Sequence, residues 1–232
     1  MTKLFIIVLV VCVILLIVYR FYGARQALKL SFDATSCPEL TGKVIRKQDP
    51  NYDKARLVSN YYTSKNKFPE VVVYCQNTQD VQNAVRWARC HNVPMRIRSG
   101  GHHHEGYSTG NGVIVIDVSQ MKDLKVNKTT HIATAQPGLN NAELYSKLFE
   151  QGLTHVGGTC AEVGLSGLIL TGGMGPLLRR IGLGCDALIS FDMVDANGDV
   201  IHATKDNEHK ELFLGHARRR RWKLWHHRFY GN

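Results

Sequence analysis

The sequence predicts an α+β fold with mixed sheets, preceded by one transmembrane helix. Three observations predict it: an apolar run near the N-terminus, short β-branched runs that alternate with helical periods, and an Asn-Gly step between two apolar runs. The 232 residues are 44% hydrophobic and 21% charged, which is a globular composition and excludes a largely disordered chain. Six cysteines without a CxxC pair argue against a zinc ribbon, a thioredoxin-like site and a dense disulfide scaffold.

The N-terminal segment 1–28 is predicted to be a membrane anchor. Every residue from Leu4 to Tyr19 is apolar or aromatic, and residues 4–22 reach about the 20 residues that cross a bilayer core. The protein is then a single-pass membrane protein. The alternative is a signal peptide, after whose cleavage the protein is secreted; Gly23-Ala24 is a weak cleavage motif.

Strands are predicted after residues 29–66, which lack a sustained period and are interpreted as linker and lead-in. Four β-branched or apolar runs predict strands at Val71–Cys75, Met95–Arg98, Val113–Asp117 and His131–Ala135. Asn197-Gly198 predicts a hairpin between the apolar runs Ala187–Val194 and Asp199–Ala203.

Two helices are predicted among these strands. Thr78 can cap the first, whose apolar residues recur at helical spacing at Val81, Ala84, Val85 and Ala88. Asn140 or Asn141 can cap the second, which faces Leu144 and Leu148 inward. Alternating strands and helices favour the α+β class.

The strand that ends at Arg98 runs directly into Ser99–His102, which contains two glycines. Such a segment exposes backbone N–H groups with no Cβ in the way, which suits it to wrapping phosphate oxygens. Its spacing matches neither the Walker A loop nor GxGxxG, and the alternative is an ordinary sharp turn. The three consecutive histidines His102–His104 also suggest a metal site. Adjacent side chains point in different directions, however, so they rarely bind one ion together, and no metal site is predicted.

A second glycine-rich stretch runs from Gly157 to Gly175 and contains Cys160. Its glycine density would let the backbone come close to a large flat ligand. A single cysteine in a hydrophobic domain is ordinarily an inert core residue, and this alternative stays open for Cys160.

The two stretches together resemble a known family. Four segments carry the resemblance, in this order: Arg98–Ser108 (RSGGHHHEGYS), Gly157–Gly175 (GGTCAEVGLSGLILTGGMG), Gly182–Asp186 (GLGCD) and Asp195–Gly198 (DANG). They are similar to the FAD-binding domain of the berberine bridge enzyme-like oxidases, which belong to the vanillyl-alcohol oxidase superfamily. The match covers residues 67–213 and implies a two-subdomain PCMH-type FAD-binding fold.

The resemblance implies a covalent cofactor. In the family, the histidine that ends the RSGGH motif bonds to the flavin 8α-methyl group, and the cysteine of the GTC motif adds to flavin C6. His102 and Cys160 hold these positions, and residues 99–101 are expected on the pyrophosphate. The implied FAD-binding residues are Arg98, Ser99, Gly100, Gly101, His102, Ser108, Gly158, Thr159, Cys160, Gly164, Gly167, Gly172 and Gly173. His103-His104 departs from the family, where small or aromatic residues are commoner, so a neighbouring imidazole could compete for attachment.

Residues 214–232 are interpreted as an aberrant basic tail. They contain six bases and no acid, which leaves the first 213 residues with a net charge of only +4. The family continues after its Leu-Phe pair with Trp-Ala-x-Arg, a glycine run and Asn-Phe-Gly. One permitted set of codons for residues 214–232, read one base later, encodes Trp-Ala-Met-Arg, a glycine run and Asn-Phe-Gly. The hypothesis for the tail is therefore a one-base frameshift at Phe213, which would make its arginines glycine codons read out of frame.

The resemblance implies an FAD-linked oxidoreductase that transfers hydride from an alcohol, a sugar or a related small substrate to FAD, with O2 as acceptor. In the family, the catalytic base and the substrate-binding sheet follow the glycine run, so the chain is predicted to be truncated and no catalytic residue is assigned. One alternative is an inactive FAD-binding remnant. Another is a membrane-tethered nucleic-acid-binding module that uses Arg218–Arg221. The frameshift removes the motivation for this second alternative, so no nucleic-acid partner is expected.

Overall fold

The computed structural model describes residues 37–218 and 225–230, and for residues 216–218 and 225–230 it describes the backbone alone. The chain divides into two units, Met1–Cys37 and Pro38–Asn232, and all of the elements below belong to the second. The predicted membrane segment 4–22 lies outside the described residues. Within residues 37–218 and 225–230, no helix has the length and apolar character that a bilayer span requires.

The first sheet has four strands in the order β1-β2-β4-β3. They are β1 (Lys43–Arg46), β2 (Val71–Tyr74), β3 (Met95–Arg98) and β4 (Ile114–Asp117). β1 is antiparallel to β2, whereas β2 and β3 are both parallel to β4, so the sheet is mixed as predicted. The parallel register places Arg98 opposite Asp117 at the carboxyl ends of their strands.

Helices cover both faces of the first sheet. The helices of this part are α1 (Tyr52–Arg56), α2 (Tyr61–Ser64) and α3 (Thr78–Cys90). Because side chains alternate along a strand, one face packs Val73 against α3 while the other packs Val72 against Tyr52 of α1. The side chain of Asn77 accepts a hydrogen bond from Asp80 N–H, so Asn77 caps α3 instead of Thr78.

The segment 29–66, interpreted as linker and lead-in, contains β1, α1 and α2. The pairing of β1 with β2 makes it part of the first sheet, so the folded region begins before residue 67. These elements have four or five residues each, and β1 buries only Ile45 among its four. Elements this short leave no periodic pattern for the sequence to reveal.

The second sheet has five strands in the order β5-β6-β9-β7-β8. They are β5 (Leu124–Asn127), β6 (Ile132–Ala135), β7 (Leu188–Val194), β8 (Val200–Thr204) and β9 (Trp225–Tyr230). Every pairing is antiparallel, so the mixed character predicted for the sheets holds for the first sheet alone. β7 and β8 form the predicted hairpin, and its Gly198 has a φ of +84°.

The helices that accompany the second sheet are α4 (Asn141–Phe149), α5 (Leu165–Leu170), α6 (Leu178–Ile181) and α7 (Lys210–Arg218), with a 3-10 turn at Gly184–Ala187. Of the two predicted caps, Asn140 is the one that caps α4, and it forms a capping box with Glu143. Leu144 and Leu148 of α4 pack with Ala135 of β6, which confirms their inward orientation. Residues 214–232 were interpreted as an aberrant basic tail, and α7 continues into them as far as Arg218 while β9 lies within them.

Candidate functional site

The histidine loop, residues 99–107, begins where β3 ends. Arg98, the last residue of β3, is buried and forms an ion pair with the buried Asp117 of β4. Its guanidinium also donates to the carbonyl oxygens of Ala55 at 2.7 Å and Leu57 at 3.3 Å. Because these partners occupy the side chain, Arg98 fixes the point from which the histidine loop departs.

The start of the histidine loop carries unused hydrogen-bond donors. In the described part of the chain, the backbone N–H groups of Ser99, Gly100, Gly101 and His102 donate to no acceptor. Gly101 has a φ of +66°, in the left-handed region where a glycine lets the backbone turn sharply. Successive N–H groups in such a turn form a concavity that binds anions. The arrangement supports the predicted phosphate loop.

The three histidines of the loop have different surroundings. The His103 ring packs on Tyr107 with centroids 4.5 Å apart, and its Nδ1 accepts from Glu105 N–H at 3.1 Å. His104 is exposed. His102 is half-buried, and its imidazole has no hydrogen bond or ion pair with the described residues. His102 therefore has ring nitrogens that remain available to a ligand.

The cysteine loop, residues 157–164, is held by the first turns of α4. Asn141 donates to this loop twice, from its backbone N–H to Val163 O at 3.0 Å and from Nδ2 to Cys160 O at 2.9 Å. The Tyr145 hydroxyl donates to Gly158 O at 3.1 Å. These bonds occupy the loop backbone and leave the Cys160 side chain as a free, exposed thiol.

The two loops touch at their glycines. A Cβ on Gly100 would lie 2.4 Å from the backbone nitrogen of Gly164, and a Cβ on Gly164 would lie 2.3 Å from the Ser99 hydroxyl oxygen. Neither position admits a side chain, so these glycines permit the close approach of one backbone to another. The sequence had suggested that the glycines make room for a ligand. Gly167 fits that description better, because nothing lies within 4 Å of its Cβ position.

A cavity of about 360 Å³ lies where the two loops meet α5. Its volume falls within the range of ligand pockets, which is about 300–1,000 Å³. Seven predicted site residues line it: Ser99, Gly100, Gly101, His102, Ser108, Gly164 and Gly167. Nine further lining residues were not predicted: Ile97, His103, His104, Val118, Val163, Ser166, Leu168, Leu170 and Thr171.

Six predicted site residues do not line this cavity: Arg98, Gly158, Thr159, Cys160, Gly172 and Gly173. The carbonyl oxygens of Gly172 and Gly173 accept from the N–H groups of Cys185 at 3.0 Å and Gly184 at 2.9 Å. These two glycines, with φ of +102° and +74°, therefore hold a turn against the 3-10 segment. Thr159 and Cys160 are exposed in the cysteine loop, which reaches the cavity wall at its end, at Val163 and Gly164.

The carbonyl oxygen of Pro137 is a part of the site that sequence reasoning missed. It accepts from the Ser99 hydroxyl at 2.7 Å and from the Ser166 hydroxyl at 3.2 Å. It thus ties the start of the histidine loop to α5. The helical spacing of Gly164, Leu168 and Thr171 is the signal that could have placed the lining residues on one face of a helix.

Burial controls the protonation of a histidine beside the cysteine loop. His155 is 4% exposed, and burial lowers the pKa of its imidazole to about 4, so the ring is neutral near pH 7. The ring packs against Tyr145 at a centroid distance of 5.1 Å, and burial raises the pKa of that phenol. The α4 side of the cysteine loop therefore carries neutral groups at physiological pH.

Comparisons with known proteins show the domain family to which the two loops belong. The family model for the FAD binding domain matches residues 69–204, which include both loops. An uncharacterized FAD-linked oxidoreductase of Bacillus subtilis, YgaK, is 42% identical over 179 residues, which are 75% of this chain and 39% of YgaK.

Two solved structures share the fold. The crystal structure of 6-hydroxy-D-nicotine oxidase from Arthrobacter nicotinovorans has a TM-score of 0.78 and 28% identity, over 86% of this chain and 44% of that one. The berberine bridge enzyme-like protein 1 of Physcomitrella patens also has a TM-score of 0.78 and 28% identity, over 83% of this chain and 42% of that one. The chain thus spans less than half the length of these relatives. As its motifs predicted, the chain belongs to the FAD binding domain family with the PCMH-type fold, and its relatives are FAD-linked oxidoreductases that include berberine bridge enzyme-like proteins.

Proposed function

We propose that this chain holds a covalently attached FAD and serves as the flavin half of an oxidase. The observation that carries the proposal is the cavity wall at the start of the histidine loop. There, four consecutive backbone N–H groups and the imidazole of His102 have no partner among the described residues. A buried or half-buried polar group without a partner costs free energy, which a bound ligand recovers.

The residues present fit FAD. The N–H groups of residues 99–101 suit the pyrophosphate, since they offer several donors to one anionic group. Gly167 borders the cavity with no atom near its Cβ position, which leaves room for a flat ring system beside α5. His102 and the free thiol of Cys160 are the two nucleophiles proposed for attachment, one on the cavity wall and one in the loop that leads to it.

When bound, the flavin would supply the redox chemistry, which is hydride acceptance from an alcohol, a sugar or a related small substrate and reoxidation by O2. The chain's own residues would bind the phosphates, orient the ring system and cover one side of it. A relative is named as an oxidase of 6-hydroxynicotine, both in the sequence comparison and in the comparison with solved structures, which supports a small-molecule substrate. No residue of this chain is assigned as a catalytic base.

A test of covalent attachment uses the full chain and acid precipitation. The wild-type pellet should retain the flavin absorbance. His102→Ala and Cys160→Ala should each retain it through the remaining bond, with a shifted spectrum, and the double variant should release flavin to the supernatant. His104→Ala is the matched control, because His104 also lines the cavity, and its pellet should equal the wild type.

Three results would count against parts of this proposal. Flavin that is bound in solution but released by acid from the wild type would remove the covalent attachment and leave the FAD site. A colourless chain that also fails to bind added FAD would favour the inactive remnant. Flavin that a panel of alcohols and sugars cannot bleach without O2 would remove the proposed substrate class.

Membrane attachment through residues 4–22 belongs to the same proposal. The apolar run in the sequence supports it. The full chain should sediment with membranes and resist extraction at high pH, and a variant without residues 4–22 should not. Recovery of a shortened chain from the medium would favour the cleaved signal peptide.

A further inference from the structure

The segment 59–67 contacts the histidine loop from outside the region that the family model matches. That region begins at residue 69. Ser59 N–H donates to Gly101 O at 3.2 Å, and the Asn60 amide donates from Nδ2 to His104 O at 2.9 Å. The segment therefore holds the loop by its carbonyl oxygens, at its start and near its middle.

Lys67 makes the strongest of these contacts. Its Nζ donates to Glu105 O at 3.0 Å and to Gly106 O at 2.8 Å. The side chain is half-buried and has no ion pair with a carboxylate of the described residues. A hydrogen bond from a charged donor is about twice as strong as a neutral one. The ammonium charge therefore stays uncompensated beside the histidine loop while its donors are used by the loop backbone.

The approach of the segment to the loop leaves no spare room. A Cβ on Gly106 would lie 2.7 Å from the Thr63 hydroxyl oxygen and 2.9 Å from Lys67 Nζ, and the φ of Gly106 is +62°. A glycine at this position lets the segment and the loop pack directly on each other. Removal of the Lys67 ammonium would consequently free the part of the loop that lies against it.

The direction of these carbonyl groups decides where the free donors point. In a planar trans peptide, the C=O of one residue and the N–H of the next point in opposite directions. The Gly101 carbonyl is turned toward Ser59, so the N–H of His102 is turned away from the segment. The hydrogen bond from Ser59 to the Gly101 carbonyl thus leaves the His102 N–H available on the other side.

We propose that Lys67 is a positioning residue of the flavin site, an inference that rests on the proposed function. By binding the carbonyl oxygens of Glu105 and Gly106, it fixes the histidine loop so that His102 and the unpartnered N–H groups line the cavity. Its unpaired positive charge also favours an anionic group bound at the loop. Lys67 acts through the loop and takes no part in the redox chemistry.

The test compares Lys67→Met with Lys65→Met in the full chain. The control removes the same charge from the same segment, because the exposed Lys65 ammonium lies over the Tyr62 ring at 5.1 Å and does not touch the loop. Amide hydrogen exchange of the flavin-free chain should become faster in residues 101–107 for Lys67→Met alone. FAD affinity, measured by fluorescence titration, should fall about tenfold or more in Lys67→Met, since two charge-assisted hydrogen bonds are lost. Lys67→Arg keeps the charge and the donors and should recover most of the affinity.

Each outcome decides a separate point. Faster exchange confined to the loop, together with weaker FAD binding and an unchanged far-UV spectrum, supports the proposal. Equal FAD affinity and equal loop exchange in Lys67→Met and Lys65→Met would overturn it, as would faster exchange spread over the whole chain. If the wild type binds no FAD, the proposed function fails, and loop exchange still shows whether Lys67 holds the loop.

Discussion

Replacement of Arg98 by methionine tests the physical basis of the histidine loop. The side chains of Arg98 and Asp117 are 6% and 3% exposed, so the substitution would leave an unpaired carboxylate in the interior. It would also remove the donors to the carbonyl oxygens of Ala55 and Leu57. The loop that lines the cavity begins at the next residue, so the damage falls where the proposed phosphate site starts.

The expected cost is large because one buried charge loses its partner. Removal of one member of a buried ion pair costs about 3–5 kcal/mol. For a chain of this size, each kcal/mol lowers the melting temperature by about 2–4 °C, so Arg98→Met should lower it by about 6–20 °C. Arg96→Met is the matched control, since Arg96 is the exposed arginine of the same strand and should change stability by about 0.5 kcal/mol at most.

Urea unfolding followed by circular dichroism measures the difference between the two variants. The double variant Arg98→Met, Asp117→Leu adds a second check, because replacement of both partners by apolar groups is often neutral or stabilising. It should recover most of the stability that Arg98→Met loses. A difference below about 1 kcal/mol between Arg98→Met and Arg96→Met, or a double variant less stable than Arg98→Met, would refute the reasoning.

Three further predictions concern the cysteine-loop side of the site and the free thiols. Gly164→Ala should destabilise the domain because its Cβ would meet the histidine loop. Gly167→Ala should stabilise α5 by about 0.5–1 kcal/mol but weaken FAD binding, since its Cβ would enter the space beside the cavity. Thermal unfolding measures the two stabilities, and FAD titration measures the binding. The folded-state pKa of His155 is about 4, below its ordinary value of 6.5. Between these two values the unfolded chain binds a proton that the folded chain does not, so the stability present above pH 6.5 is lost as the pH falls toward 4. Urea unfolding at pH 7.5 and 4.5 should show an acid loss of up to about 3 kcal/mol that His155→Gln lacks. A thiol reagent at pH 8 should modify the exposed Cys160 quickly and leave Cys75 intact, because burial raises the pKa of the Cys75 thiol. Bound flavin should protect Cys160, and peptide mass spectrometry measures the modification of each thiol.

Local signals explain which elements the sequence predicted correctly. Asn140 with Glu143 three residues later is a capping box, and Asn197-Gly198 is a hairpin turn; each of these signals is contained within a few consecutive residues. β1 and β5 were missed because neither carries such a signal. β1 buries one residue and β5 buries none fully, so their existence depends on the strands beside them.

In the candidate site, too, only the features with a local signal in the sequence could be predicted. The strand that runs directly into Ser-Gly-Gly predicted a loop with exposed backbone N–H groups, and four such groups lie at the start of the histidine loop; their binding to phosphate stays a prediction. The contact between Gly100 and Gly164 joins residues far apart in the sequence, so composition could not separate a glycine that admits a ligand from one that admits another backbone. Pro137 acts through its own carbonyl oxygen, and Lys67 acts by donating to the carbonyl oxygens of the histidine loop. A single sequence has no motif for either kind of backbone contact.

The position of β9 gives the frameshift hypothesis a structural consequence. β9 lies between β6 and β7, so without a strand there both would present an unpaired edge in the middle of the second sheet. The sequence of β9, WHHRFY, is rich in polar residues. Under the frameshift hypothesis, the permitted codons described above, read one base later, encode Gly-Ile-Ile-Gly-Phe-Met at the same positions. An apolar, partly β-branched segment suits a central strand better than a histidine- and arginine-rich one. The second sheet therefore needs a strand from this part of the chain in either frame, and the shifted frame supplies the more suitable one. Sequencing the gene across codons 210–232 decides between the frames, because a stop codon in the shifted frame, or codons incompatible with its glycine run, would refute the hypothesis.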